Sequence, residues 1–351
     1  MLALPMILAL PVLLSTSIFT HAFATDQGFI DIYKGANAHY AAELTGGEDC
    51  NEKEMQKIRD GFVEMNMLFQ AAVNVNWDGV PEREFFGSQE RIQNYTRVVE
   101  ANLRRAAQYA NLKGNVTRNP DIHVRCDDPN DQCGGKGWKR DGNGKGGGGG
   151  GHAAYNIGNE PHINFCGRDN DKKSSGYFDL DPLDERMEKK AGKNGAEMEL
   201  DEYQNRATAW ARQVMHISAV GTAIVEKAVP NTAPNGSEWV MSTSEGPMGT
   251  SVLAGVQNER PETDFPNDIQ QLKYAYGATR AKIIAASSIQ EPYDAINNAE
   301  SYALYSQARY LMEKKNFYPN LPVLDIGDEI ALLNNEELQG GKWQLPANDV
   351  V

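Results

Sequence analysis

The residues that could carry chemistry in this chain lie in one stretch, Ala207 to Gly221. Two histidines spaced four apart on a helix can bind one zinc ion, and a glutamate after the first histidine can act as a general base. The corresponding positions here hold Arg212, Gln213 and His216. The stretch therefore has two interpretations: a metal-binding helix that has lost its ligands, or an ordinary amphipathic helix with one packed histidine.

His216 can be aligned with the two-histidine pattern in two ways. As the second histidine, it leaves Arg212 at the first histidine and Gln213 at the general base. As the first histidine, it leaves Ile217 at the general base. Both alignments keep one imidazole and lose the carboxylate, and Arg212 is a permanent cation that would repel zinc. We therefore expect no catalytic residue in this helix and, at most, a metal-binding role for His216.

Three other histidines are candidates to join His216 at a metal site. They are His123, His152 and His162, and their spacing contains no metal-binding motif. His39 lies in the polar entry segment and carries no motif. We expect the protein to have no cofactor, or zinc if it has one.

Length and charge exclude several classes of protein. The chain has 351 residues, 40% of them hydrophobic, so it can bury a substantial core. Its formal net charge is -14 and its sequence pI is about 5.0. Because binding to phosphates requires clustered positive charge, we do not expect a nucleic-acid partner.

The N-terminal residues 1–24 predict a cleaved secretion signal. They contain no Asp, Glu, Lys or Arg and end in Ala22-Phe23-Ala24, a small-x-small pattern that predicts a mature start at Thr25. No later segment reaches 18 consecutive apolar residues, so we expect no transmembrane anchor after cleavage. The expected location is extracellular or in a cell wall. Three acceptor sequences for N-glycans, at Asn94, Asn115 and Asn235, fit secretion.

Four cysteines predict two disulfides in an oxidising compartment. They are Cys50, Cys126, Cys133 and Cys166, and no Cys-x-x-Cys pair indicates a zinc knuckle. Four cysteines allow three connectivities, and spacing alone leaves all three open.

Hydrophobic periodicity predicts a mainly helical α+β domain with a small sheet. An Asn51-x-x-Glu54 capping pair marks the start of the first helix. The predicted elements are a helix from Asn51 to about Asn76, a helix from Ser88 to before Lys113, strands Ile122–Cys126 and His162–Cys166, a central helix Glu199–Val225, and helices Asp268–Ser288 and Asp294–Lys315.

Two blocks of sequence resemble a known superfamily. Asp294 to Gln307, DAINNAESYALYSQ, resembles the C-terminal helix of the deuterolysin family of secreted fungal zinc endopeptidases. Ile122 to Trp138, together with the flanking cysteines, is similar to a related fungal family that includes a major mould allergen and a pH-regulated, zinc-scavenging surface antigen. In that family the peptidase motif is His-Arg-x-x-His. The resemblance covers most of residues 50–310.

The resemblance implies a zincin-like metallopeptidase fold over residues 25–316. The Gly-rich stretch 139–151 and the polar stretches 168–198 and 230–262 would be insertions, and residues 317–351 a C-terminal tail. The high charge of Arg168 to Lys193 separately predicts that this segment is exposed. The resemblance also implies that Cys50 pairs with Cys126 and Cys133 with Cys166. The family's third zinc ligand is an Asp, whose place here falls on Gln271 or Lys273, with Asp268 nearby.

Three functions follow from this comparison. The first is a secreted, catalytically degenerate peptidase-like protein that binds an unknown protein or peptide partner. The second is an active zinc endopeptidase with non-standard ligands. The third is extracellular zinc binding, which is weakened because residues 317–351 contain neither His nor Cys.

Overall fold

The computed structural model describes most of the chain between residues 42 and 324. The described ranges are 42–109, 120–133, 153–158, 161–167, 176–193, 196–230, 239–247, 258–259, 271–272, 276–286 and 291–324. The predicted secretion signal, the Gly-rich stretch 139–151, His39, His152, Asn115 and Asn235 lie outside these residues. Lys273 and Asp268 do as well.

The described chain is a mixed α/β structure in which helices predominate. In chain order the α-helices are α1 (Glu52–Ala72), α2 (Val80–Phe86), α3 (Gln89–Ile92), α4 (Thr96–Tyr109), α5 (Leu183–Lys190), α6 (Arg206–Met215), α7 (Gly277–Ala286) and α8 (Ala299–Lys315). Together with a small sheet, these helices fit the coarse prediction of an α+β domain.

A four-stranded sheet lies beside the helices. Its strands are β1 (Leu44–Glu48), β2 (Ile122–Arg125), β3 (Ala154–Asn156) and β4 (His162–Phe165), in the order β1-β2-β4-β3. β1, β2 and β4 run parallel, whereas β3 is antiparallel to β4 at the edge. The predictions of strands at β2 and β4 are confirmed. β1 and β3 were not predicted, because β1 contains two glycines and β3 has only three residues.

The start of α1 follows the predicted capping box. The side-chain oxygen of Asn51 accepts hydrogen bonds from the backbone N–H groups of Lys53 and Glu54, and the Glu54 carboxylate accepts one from the Asn51 N–H at 2.9 Å. These bonds satisfy N–H groups that a helix leaves open at its first turn.

Trp210 in α6 joins the helices to the sheet. Its ring centroid lies 5.1 Å from that of Phe62 in α1 and 4.7 Å from that of Phe165 in β4. Its indole N–H donates to the carbonyl of Ile58 at 3.0 Å. α6 is therefore packed between α1 and the sheet, and it also contacts α8.

The segment after α1 contains a helix that was not predicted. Pro81 occupies the first turn of α2. Proline is favoured there because its missing N–H needs no partner and its φ suits a helix. The next predicted helix, from Ser88, is divided: α3 is followed by a 3-10 turn, Gln93–Tyr95, and then by α4.

Two predicted helices are longer than the observed ones. The central helix was predicted over Glu199–Val225, but Asn205 caps its start and His216 its end. The helix predicted from Asp268 begins only at Gly277, whose φ of 78° is not helical. The predicted separation of α6 into an apolar and a polar face is also wrong, because every residue of that helix is buried.

Residues following α6 form a two-stranded ribbon. β5 (Thr222–Pro230) pairs antiparallel with β6 (Trp239–Pro247), so the C-terminal end of the predicted central helix is extended backbone. The β-branched residues at the start of β5 favour a strand over a helix. A short pair, β7 (Asn258–Glu259) with β8 (Gln271–Leu272), follows.

The prediction that Arg168 to Lys193 is exposed is wrong for the described part of this segment. Tyr177, Leu183 and Met187 are buried in the main core. In α5, charged residues separate the buried Leu183 and Met187, so the composition of the segment did not indicate a buried face.

Among the described residues, no helix is both long enough and apolar enough to span a membrane.

Candidate functional site

Arg212 lies at the centre of the only stretch that the sequence singled out for chemistry. Asn205 begins α6 by accepting hydrogen bonds from the N–H groups of Ala207 and Thr208, at 2.8 and 3.2 Å. This cap fixes the start of the helix. Two turns later Arg212 points into the protein, with 6% of its side chain exposed.

Glu300 in the first turn of α8 is the partner of Arg212. The guanidinium donates from Nε to Glu300 Oε2 and from Nη2 to Glu300 Oε1, the latter at 2.8 Å. Burial alone would lower the pKa of Arg212, but the charge of Glu300 and its hydrogen bonds raise that pKa above its ordinary value. The guanidinium is therefore a fixed cation that binds a carboxylate at two points.

Two further groups surround this ion pair. The ring centroid of Tyr276 lies 5.0 Å from Arg212 Cζ, a cation–π distance. Burial, with a contribution from Glu300, raises the pKa of the Tyr276 hydroxyl to about 12, so it stays neutral. Asp201 contributes to the raised pKa of Arg212.

The start of α7 is held by the same acidic groups. Glu300 Oε1 accepts a hydrogen bond from the N–H of Gly277 at 3.1 Å, and Asp201 Oδ1 accepts one from the N–H of Ala278 at 2.9 Å. Both carboxylates thus lie at the positive end of a helix dipole. Arg212, Glu300 and Asp201 therefore tie together α6, α7, α8 and the turn that contains Asp201.

Gln213 occupies the general-base position in the alignment that takes His216 as the second histidine. Its side-chain amide donates to the carbonyl of Ala154 in β3 at 3.0 Å, and its backbone carbonyl accepts from Asn156 Nδ2 at 3.1 Å. An amide cannot take a proton from a bound water. Gln213 therefore fastens α6 to the edge strand of the sheet.

His216 is the C-cap residue of α6 and is 1% exposed. It follows Arg212 by four positions, the spacing that would place two ligands on one helix face. The other position is a guanidinium bound to Glu300, which cannot ligate a metal. Within the described chain, no group of three His, Cys, Asp or Glu side chains is arranged to hold a metal ion. The residues around α6 do not fit a zinc centre.

The structure brings two of the other predicted histidines together. His123 of β2 and His162 of β4 are register partners on parallel strands, and their ring centroids are 4.5 Å apart. His123 Nε2 also lies 2.9 Å from both carboxylate oxygens of Glu48. Gly46, with φ of 80°, makes room for this ring, since a Cβ there would lie 2.7 Å from His123 Nε2.

The pKa of the His162 imidazole is shifted by its surroundings. Burial lowers the pKa of its imidazole, and the charges of His123 and Arg125 lower it further. Its Nε2 is buried and has no hydrogen-bond partner in the described part of the chain. The pair forms a contact between two neighbouring strands, in which burial disfavours the charged form of His162.

The predicted disulfide pairing is confirmed. Cys50 is bonded to Cys126, and Cys133 to Cys166. The first bond joins the segment between β1 and α1 to the end of β2, and the second joins the loop after β2 to the end of β4. Both bonds therefore hold the sheet that packs on α6.

The remaining predicted positions are tested little by the structure. Asn94 lies in the 3-10 turn before α4 and Gln271 lies in β8. Glu300, Tyr276 and Asp201 were missed as site residues. No local pattern marks Glu300 as a site residue, because acidic residues are common in the first turn of a helix.

Comparison with known proteins gives no relative from which a function of this site could be inferred. No known protein family matches the chain, and no curated protein matches its sequence.

Proposed function

We propose that this protein is a secreted binding protein on a zincin-like, peptidase-like fold that does not hydrolyse peptides. The observation that carries the proposal is the two-point ion pair between Arg212 and Glu300. When His216 is aligned with the second histidine of the fungal zinc endopeptidases, Arg212 occupies the position of the first zinc ligand.

The ion pair also leaves no simple route to metal binding at this position. Removing one partner of a buried ion pair costs about 3–5 kcal/mol, because the other charge remains buried without compensation. Zinc could replace the guanidinium only if Arg212 lost its contacts with both Glu300 and Tyr276. The neighbouring Gln213 amide is committed to Ala154 and offers no carboxylate.

An extracellular location is supported by three features of the chain. The apolar leader 1–24 has a cleavage pattern, three N-glycan acceptor sequences follow it, and both disulfides are of a kind that persists in oxidising compartments. The partner we propose is a protein or a peptide, because the resemblance is to a family of peptide-cleaving enzymes, and Arg212 and Gln213 stand here where that family needs a zinc ligand and a general base.

A peptide-library experiment tests this proposal. Purified secreted protein is incubated with a defined mixture of peptides in the presence of zinc, and the bound and free fractions are analysed by mass spectrometry. We expect a subset of peptides to be retained intact and no new termini to appear. New termini that disappear with a chelator would refute the proposal, and so would the absence of any retained peptide.

A further inference from the structure

A strap of eight residues, Phe317 to Leu324, lies on the surface of the helices after the end of α8. The chain turns into it at Asn316, whose left-handed φ of 57° ends the helix. Of the eight residues only Pro319 is buried, and the other seven keep part of their surface in solvent. The strap therefore covers a surface instead of passing through the core. This surface, the strap groove, is formed by α2, α7 and residues 198–200.

The main chain of Leu321 pairs with one wall of the strap groove. Its N–H donates to the carbonyl of Met198 at 2.9 Å, and its carbonyl accepts from the N–H of Leu200 at 3.3 Å. Together these bonds form a parallel bridge to Glu199. The wall thus binds the backbone of one strap residue at two points, as an added strand is bound, and this contact does not depend on the side chain.

Lys282 of α7 binds the strap backbone at the two residues that flank Leu321. Its ammonium donates to the carbonyls of Asn320 at 2.7 Å and Pro322 at 3.0 Å, and it lies 2.6 Å from Glu84 Oε2. An ammonium has three N–H groups, so the strap satisfies two of them and the groove satisfies the third. Because an extended chain repeats every two residues, carbonyls two positions apart point the same way. Lys282 therefore recognises extended backbone.

Two strap side chains lie on either side of this backbone contact. The Tyr318 ring centroid is 5.6 Å from Lys282 Nζ, a cation–π distance, and its hydroxyl donates to Glu84. Leu324 packs against a buried cluster that includes Ile283. The strap groove therefore favours an aromatic residue before the bound backbone and a leucine after it.

We propose that the strap groove is a binding site for an extended peptide, and that the strap occupies it as a ligand from the same chain. The peptide carries a tyrosine six positions before a leucine, as Tyr318 and Leu324 stand in the strap. This inference rests on the proposed function, a protein that binds a peptide, and gives that peptide a site. The contacts with the strap use backbone groups and two side chains, which a second chain supplies equally well.

Competition between strap and peptide makes the strap a built-in inhibitor of this site. A peptide binds only those molecules whose strap is released, so its apparent affinity is reduced by the released fraction. A strap that is released in about one molecule in ten weakens the apparent affinity about tenfold.

The test measures binding of a fluorescein-labelled strap peptide, Phe-Tyr-Pro-Asn-Leu-Pro-Val-Leu, to the full protein by fluorescence anisotropy. The strap-weakened protein carries Tyr318→Ala and Leu324→Ala, which leave the groove residues unchanged. We expect it to bind the strap peptide at least about tenfold more tightly than the unchanged protein. Val323→Ala is the matched control, since Val323 is 57% exposed, and it should leave the affinity unchanged.

Two further changes assign the peptide to the strap groove. Lys282→Met in the strap-weakened protein should weaken binding at least about tenfold, because two carbonyls lose a charged donor. A strap peptide with alanine in place of its tyrosine and last leucine should also bind more weakly, and this comparison needs no change in the protein. Equal melting temperatures with and without the strap substitutions would verify folding.

Hydrogen exchange on the unchanged protein gives a readout that depends on no variant. The N–H of Leu321 is bonded to Met198 while the strap is in place. Excess strap peptide should speed its exchange, because the strap is displaced, and should leave the N–H groups of α8 unchanged.

Three results would overturn the strap-groove proposal. They are no binding of the strap peptide to the strap-weakened protein, equal affinity for the unchanged and strap-weakened proteins, or unchanged exchange at Leu321 while the peptide is bound. Library peptides retained intact and equally by both proteins would place the peptide site elsewhere and leave the proposed function standing. Strap-peptide binding to the strap-weakened protein, with no library peptide retained, would support the strap groove and contradict the proposed function.

Discussion

Arg212 in α6 and Glu300 in α8 share two hydrogen bonds, and their side chains are only 6% and 0% exposed. A buried ion pair of this kind is stable only while both partners are present, since each charge compensates the desolvation of the other. Glu300 also accepts the N–H of Gly277. The pair therefore determines how three helices meet at the place where the resemblance expects a metal.

Replacing Arg212 by methionine should destabilise the protein strongly. We expect Arg212→Met to lower the free energy of unfolding by about 3–5 kcal/mol, because Glu300 stays buried without its cation. The double variant Arg212→Met with Glu300→Gln should recover part of this loss. Urea denaturation of the four proteins in this cycle measures the coupling energy.

The exposed pair of Arg97 and Glu245 provides a matched control for this cycle. Its side chains are 79% and 46% exposed, at an N–O distance of 2.9 Å. Arg97→Met should change the free energy of unfolding by less than about 1 kcal/mol. Equal losses at Arg97 and Arg212 would contradict the special role given to the buried pair.

Removing the Cys50–Cys126 disulfide should cost more stability than removing the Cys133–Cys166 disulfide. The bonds connect residues 76 and 33 positions apart. Chain-entropy arguments then give the longer loop an advantage of about 0.7 kcal/mol, on top of about 2–5 kcal/mol for either bond. Denaturation of the two paired Cys→Ser variants without reductant measures the loss of unfolding free energy for each bond. A larger loss on removing Cys133–Cys166 would contradict the prediction.

The sequence predicted the elements whose signals are local. The capping box of Asn51 and Glu54 identified the start of α1, and alternation identified β2 and β4. The hydrophobic pattern did not indicate the ends of α6, because every residue of this helix is buried and its charged Arg212 is paired with a residue far away in the sequence. Glu300 lies 88 positions from Arg212, and no local pattern reports a contact over that distance.

Lower pH should weaken the folded state through His162. Its pKa is lowered in the folded protein, mainly by burial, so the unfolded chain binds the proton more tightly. Stability should therefore fall as the pH drops through the ordinary histidine pKa of about 6.5. His162→Gln should reduce the loss of unfolding free energy between about pH 7.5 and pH 5.5.

An NMR titration of the imidazoles provides the direct measurement of this effect. Arg125, Glu48 and Asp127 are the charged neighbours of His162 besides His123, and they stay charged over this range. We expect the His162 signals to titrate below the ordinary histidine value. Titration above that value, or an unchanged pH dependence in His162→Gln, would contradict the assignment.

Zinc content tests the central claim that the α6 position is occupied by an ion pair instead of a metal. Purified secreted protein is equilibrated with zinc, dialysed, and analysed for metal together with its melting temperature before and after a chelator. The same measurements on His216→Ala identify any zinc held by that imidazole.

We predict that zinc remains far below one ion per chain and that the chelator leaves the melting temperature unchanged. A bound structural or catalytic zinc would appear as about one ion per chain. Such a stoichiometry, lost in His216→Ala and accompanied by a lower melting temperature after chelation, would contradict the account.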